Sequence, residues 1–212
     1  EIPNLLIPNF NGGSSSGAVN PRKSETYSLL KKAGQPNLKE VSKALPLYWG
    51  PQPFTAGPMY MGAVTIFLFM LALLCYKGKD KWWILATCIL SILLALGSHL
   101  MWFTKFFYNY VPLYNKFRTV SMAMVILQIC LPLLAFIFLD RMVKDNDAVQ
   151  AFKKKGWIAL AVTGGFCLLC LLIPGLAGDF RGAADASLPD VLSDALADDR
   201  RGMLKADALR SL

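Results

Sequence analysis

The amino-acid sequence predicts an all-α integral membrane protein with about four membrane-spanning helices. Long apolar runs of about 20 residues alternate with charged loops, and about 20 helical residues cross the hydrocarbon of a bilayer. Hydrophobic residues make up 55 % of the 212-residue chain. The charged residues fall in clusters, whereas a soluble domain of this length spreads them over every surface element.

The first 57 residues read as an outward-facing segment of loops and short helices. Pro3-Asn4 and Pro8-Asn9 frame an apolar patch, and Gly12-Gly13-Ser14-Ser15-Ser16-Gly17, taken alone, has the composition of a flexible linker. Residues 24–33 and 37–44 are each expected to form a short helix, divided by Gly34-Gln35-Pro36. Residues 45–55 are too rich in Pro and Gly for a regular element, and the pair Tyr48-Trp49 suits a membrane interface.

A membrane domain is expected over 58–177, with spans near 58–76, 82–100, 119–139 and 156–176. Pro58 fits the first turn of a helix, and Trp82-Trp83 anchor the second span after the tight turn Lys77–Lys81. Met101–Arg118 reads as a semi-polar aromatic loop and Asp140–Lys155 as a charged loop. Pro132 is expected to kink the third span, and Gly164-Gly165 to allow a close helix approach in the fourth.

Residues 178–212 read as outward-facing. Within them 187–212 predicts an amphipathic helix, with Ser187 as N-cap and Pro189 in the first turn. Its apolar side is expected to carry Leu188, Val191, Leu192, Leu196, Met203, Leu204 and Leu212. The segment 178–212 holds seven aspartates against five basic residues, so it is unsuited to an anionic lipid surface. Packing on the protein's own outer surface, ahead of a further span, is the expectation. The lack of an initiator Met at Glu1-Ile2-Pro3, and the close on Arg210-Ser211-Leu212, lead us to expect a piece of a longer protein.

Orientation follows from the basic residues of the short loops. Lys77, Lys79 and Lys81 lie in one, and Arg141, Lys144, Lys153, Lys154 and Lys155 in another; with four spans, both face the cytoplasm. Residues 1–57, 101–118 and 178–212 then face outward, although the first of these is itself basic. The formal charge of +8 does not point to nucleic acid, because the cations sit at span ends rather than along one soluble face. Cys75, Cys88, Cys130, Cys167 and Cys170 all lie in apolar runs and read as small hydrophobes, not as disulfides or zinc ligands.

No soluble-enzyme motif is present, and one histidine cannot build a multi-histidine metal site. The informative stretch is 101–118, where aromatic residues interleave with Lys105, Lys116 and Arg118. That mixture suits an amphiphilic anion: cations grip a lipid phosphate while rings face acyl chains or a sugar. An ordinary aromatic belt with snorkelling cations has the same composition. His99, at the outer end of the second span, is a proton acceptor, a phosphate donor, or a hydrogen-bond partner of a neighbouring helix. Gln128 is expected to bond across helices, and Asp179 with Arg181 to form an ion pair or part of a polar site.

Several blocks resemble the YfhO family of bacterial membrane proteins, above all its large members from Bacteroidetes. They are Leu5–Gly13, Tyr48–Pro58 with its YWG-x-QPFT core, Tyr114–Ser121 with YNKFR-T-V-S, Asp179–Gly182 and Asp207–Leu212. The resemblance covers essentially the whole chain and implies that the Gly-Ser stretch is native loop. It implies a larger polytopic protein of the GT-C glycosyltransferase type. Such a protein takes a sugar from a polyprenyl-phosphate carrier to a cell-envelope polymer or protein, on the outer face of the bacterial cytoplasmic membrane.

The catalytic carboxylate of that pattern, a base or the ligand of a divalent metal, would lie upstream of Glu1. Tyr114, Asn115, Lys116 and Arg118 would help hold the carrier phosphate, and Tyr48, Trp49 and the 106–114 aromatics would stack on sugar or line a prenyl groove. Two other classes stay open: a transporter or flippase of lipid-linked glycans, and a non-catalytic envelope scaffold. Broken helices in inverted repeats would favour the transporter.

Overall fold

The structure, a computed structural model, describes residues 2–51, 59–112, 114–116 and 120–212. The described residues are mostly helical and contain no strand. Among the described residues eight α-helices follow in order: α1 (Glu25–Lys32), α2 (Leu38–Val41), α3 (Ala63–Cys75), α4 (Asp80–Ala95), α5 (Met101–Tyr110), α6 (Met124–Lys144), α7 (Asn146–Leu172) and α8 (Asp190–Ser211). They fall into two compact units, one of residues 1–64 with 160–212, the other of residues 65–159.

In the first unit, α1 begins where Ser24 caps it, its Oγ accepting from the Tyr27 N–H at 2.9 Å. The helix ends at Ala33, and Gly34 follows with a left-handed φ of +67°. The Gly-Ser stretch is not a free linker. The N–H of Gly17 donates to the Leu45 carbonyl at 2.8 Å and that of Leu45 to the Gly17 carbonyl at 3.1 Å. The N–H groups of Tyr48 and Trp49 continue this pairing, reaching the carbonyls of Ser14 and Asn11, each at 3.0 Å. Composition favours disorder here, but pairing with 45–49 satisfies the backbone and buries Leu45, Leu47 and Tyr48.

Leu45 and Leu47 join Val19, Leu30 and Leu196 in one core, against which Leu188, Leu192 and Met203 also pack. Helix α8 packs on α1. It buries Leu196, Arg200, Leu204 and Ala208, spaced four residues apart, while Val191 and Leu212 are exposed. Of the seven predicted apolar positions, Leu188, Leu192, Leu196, Met203 and Leu204 lie on the packed side, and only Val191 and Leu212 do not. Pro189, not Ser187, occupies the N-cap position, and the Ser187 hydroxyl instead donates to the Ala184 carbonyl. Gly164 meets the Leu212 side chain at ordinary contact distance and Gly165 faces open space, so neither is a close helix crossing.

In the second unit, α4 packs against α6. Ile84, Cys88 and Ser91 on one helix face Leu127, Leu131, Leu134 and Phe138 on the other, each set at helical spacing and buried. The Ser91 hydroxyl donates to the Ala123 carbonyl at 2.7 Å. Gln128 is exposed on α6 and does not bond across this pair. All five cysteines are free and buried.

Helices α6 and α7 are long and apolar enough to cross a membrane. Both extend beyond the expected spans into the predicted charged loop, which shrinks to Asp145 alone, in an extended conformation. Its carboxylate accepts from the Asp147 N–H at 2.9 Å and so opens α7. Helix α6 continues through Pro132 over its full 21 residues. Helices α3 and α4 are shorter than the expected spans, with 13 and 16 residues. Pro58 lies outside the described residues.

Candidate functional site

The predicted aromatic loop is largely a helix. A 3-10 turn, Gly97–Leu100, ends the α4 segment, and α5 starts at Met101. The Thr104 hydroxyl donates to the Gly97 carbonyl at 2.8 Å and ties the two together. Helix α5 stops at Tyr110 because Val111, with φ −97° and ψ 118°, is held extended ahead of Pro112. A further 3-10 turn covers Tyr114–Lys116.

The rings of α5 form two ladders. Phe103 meets Phe107 at 4.8 Å between centroids, and Phe107 meets Tyr114 at 5.7 Å, which folds the 3-10 turn back onto the helix. Phe106 meets Tyr110 at 5.2 Å. Apolar though they are, none of the ten residues of α5 is buried, and Trp102 and Tyr110 are 71 % and 75 % exposed. An exposed aromatic surface of this size marks a binding or membrane-interaction face.

Lys105 lies one helical turn from Met101 and Tyr108 and is exposed, as are His99 and Lys116. No acidic residue occurs between Gly97 and Arg118. Among the described residues neither Lys105 nor Lys116 is in an ion pair. Tyr114 is half-buried. Arg118 lies outside the described residues, as does the side chain of Asn115.

Tyr48 and Trp49 belong to the other unit, where both serve packing. Tyr48 is 5 % exposed, so stacking on a sugar would require opening the core. The Trp49 ring lies 5.3 Å from that of Phe180 and against Gly178, and the Trp49 backbone runs beside Gly182. Arg181 pairs with Asp194 rather than with Asp179.

The first unit holds a polar cluster that sequence reasoning missed. Arg200 is fully buried on α8 and makes a bidentate pair with Asp185, at 2.5 and 2.9 Å. It also donates to the carbonyls of Leu47 at 3.0 Å, Phe180 at 2.6 Å and Pro46. Asp199, on the same helix, accepts from the Ser24 hydroxyl at 2.5 Å and from the N–H groups of Glu25 and Thr26. Asp207 accepts from Asn9 at 2.5 Å and from Arg210 at 2.9 Å. These groups hold four stretches of chain, at residues 9, 24–26, 46–47 and 180–185, to α8. The signal available in the sequence was their four- and three-residue spacing from Leu196 and Leu204.

Among the described residues no three His, Cys, Asp or Glu side chains converge to hold a metal ion. No protein-family model matches the chain, and neither a curated protein nor a solved structure matches it.

Proposed function

We propose that the chain is part of a multi-pass membrane glycosyltransferase of the GT-C type, with spans near 58–76, 82–100, 119–139 and 156–176. It transfers a sugar from a polyprenyl-phosphate carrier to a cell-envelope acceptor on the outer face of a bacterial cytoplasmic membrane. The observation that carries the membrane half of this reading is the outward surface of the long helices. Within their apolar windows only 33 % of α6 and 28 % of α7 is buried inside the chain. Phe136, Ile129 and Leu172 are among the exposed residues, and helices apolar all round need lipid or other helices to cover them.

The exposed aromatics and Lys105 on α5, with Lys116 in the 3-10 turn that follows, support the site reading; among the described residues neither lysine is in an ion pair. The rings of α5 offer a surface for a prenyl chain or sugar, and Lys105, Lys116 and Arg118 offer charge to its phosphate. In the transfer the acceptor oxygen attacks the anomeric carbon, and the bond from that carbon to the phosphate oxygen breaks. The phosphate leaves with the electron pair, so its charge grows in the transition state, and a cation already in place lowers the barrier. The acceptor's proton passes to a base that is not assigned to any residue of this chain.

The test uses the full-length protein in membrane vesicles with labelled polyprenyl-phosphate sugars. Arg118→Ala or Lys116→Ala is expected to cut donor-dependent transfer by about tenfold, because interfacial water screens a charge that counts for a hundredfold or more in a dry site. Unchanged donor affinity and turnover in both variants would remove this segment from the donor site. Label crossing the membrane intact, with no transfer, would replace the transferase by a transporter.

A further inference from the structure

The opposite ends of α3 and α4 from the aromatic segment carry a second cluster. Two basic stretches far apart in sequence, 77–81 and 140–155, converge there. The Lys81 ammonium donates to the Leu73 carbonyl at 3.2 Å, and that of Lys155 to the Leu74 carbonyl at 3.4 Å, so both close the C-terminal end of α3. Cys75 lies against the Ala151 carbonyl, and Lys77 faces Asp147 at 3.6 Å. Together the two stretches hold eight basic and four acidic residues.

Between them lies an open cleft of about 300 Å³ with Tyr76 in its lining. Lys77 and Arg141 stand at its edge beside Asp145 and Asp147. The two carboxylates are already engaged, Asp145 in opening α7 and Asp147 with Lys77. The Arg141 guanidinium has no ion pair or hydrogen bond among the described residues. Gly78 shapes the wall, since a Cβ there would stand 2.2 Å from the Tyr76 ring.

Three exposed tryptophans ring this end: Trp82 (63 %), Trp83 (54 %) and Trp157 (67 %). Lys81 lies over the Trp82 ring at 5.3 Å. Tryptophans next to a net-positive turn are the arrangement of the headgroup layer, where indole rings meet acyl chains and cations meet phosphates. A free phosphate would have no use for the rings.

We propose that this end of the second unit is a seat for the phosphate of an anionic phospholipid, gripped by Arg141 and Lys77 in the cleft while the tryptophans meet its acyl chains. The proposal rests on the membrane reading above. Its test takes the full chain in detergent micelles containing equal amounts of phosphatidylglycerol and phosphatidylcholine with the same acyl chains, and counts retained lipid by native mass spectrometry. The wild type is expected to prefer phosphatidylglycerol by about 30-fold, the two cations contributing about fivefold each. Lys77→Gln with Arg141→Gln should bring the two lipids close to parity, and Lys77→Arg should keep the preference.

Equal retention of both lipids by the wild type would overturn the proposal, as would an undiminished preference in the double variant. Release of phosphatidylglycerol by millimolar inorganic phosphate would assign the cleft to a free anion instead. Alkaline carbonate washing of membranes separates the two claims. Chain found in the wash refutes the membrane reading, whereas chain retained without lipid preference refutes the headgroup seat alone.

Discussion

Replacing Arg200 with Ala should loosen the first unit more than any other single change on α8. The side chain is fully buried and donates to the Asp185 carboxylate and to three backbone carbonyls, of Pro46, Leu47 and Phe180. Without it the Asp185 charge keeps, among the described residues, the Gly182 N–H at 2.7 Å, and the carbonyls lose their donor from α8. Removing one partner of a buried ion pair costs about 3–5 kcal/mol, because the other charge stays buried. Hydrogen exchange of the full chain reads this locally, at the paired N–H groups of Gly17, Leu45 and Tyr48. Their protection should fall by about two to three and a half powers of ten, at 1.4 kcal/mol for each. Asp185→Asn should fall in the same range, and the double variant should cost clearly less than the sum of the two. A loss of protection under about tenfold for Arg200→Ala would refute the reasoning.

Three further changes test the packing around that network. Gly12→Ala combines a φ of +81° with a Cβ that would stand 2.0 Å from the Leu47 carbonyl oxygen. It should destabilise the unit by several kcal/mol in thermal or denaturant unfolding, whereas Gly34→Ala, with φ +67° in open space, should cost only about 1–2 kcal/mol. Asp199→Ala removes the acceptor for the Ser24 hydroxyl and two N–H groups at the start of α1, and should cost about 0.5–2 kcal/mol with exchange rising first in residues 25–28.

The helices with strong local signals were legible. Ser24 and Gly34 bracket α1 in the sequence, and the apolar runs place α3, α4 and α6 to within about five residues at each end, whereas α7 starts well ahead of the expected fourth span, at Asn146. The misread parts share a cause, since composition does not report partners distant in the chain. Gly12–Gly17 looks like a linker until residues 45–49 supply its hydrogen bonds. Charged residues 140–155 look like a loop, but Ala, Lys and Gln are good helix formers, and Asp145 alone breaks the helix. On α8 the charges of Arg200 and Asp207 look solvated, so the predicted apolar side omitted two buried positions.

Of the candidate site, the aromatic and cationic composition of 101–118 was legible but its helical form was not. Aromatic side chains in every direction leave no period to read, so only Pro112 marked a boundary. Tyr48 and Trp49 carry the same composition and serve a different end, packing in the first unit.

The central claim is that this chain crosses a membrane with α5 outside and the basic turns inside, and thiol labelling of intact cells tests it most directly. In a background with the five buried cysteines replaced, single cysteines are placed at exposed Lys79, Asn109 and Lys154. An impermeant maleimide should label Asn109→Cys on intact cells, and Lys79→Cys and Lys154→Cys only after permeabilisation. Equal labelling of all three from outside, or of none until lysis, would contradict the topology on which the proposed function stands.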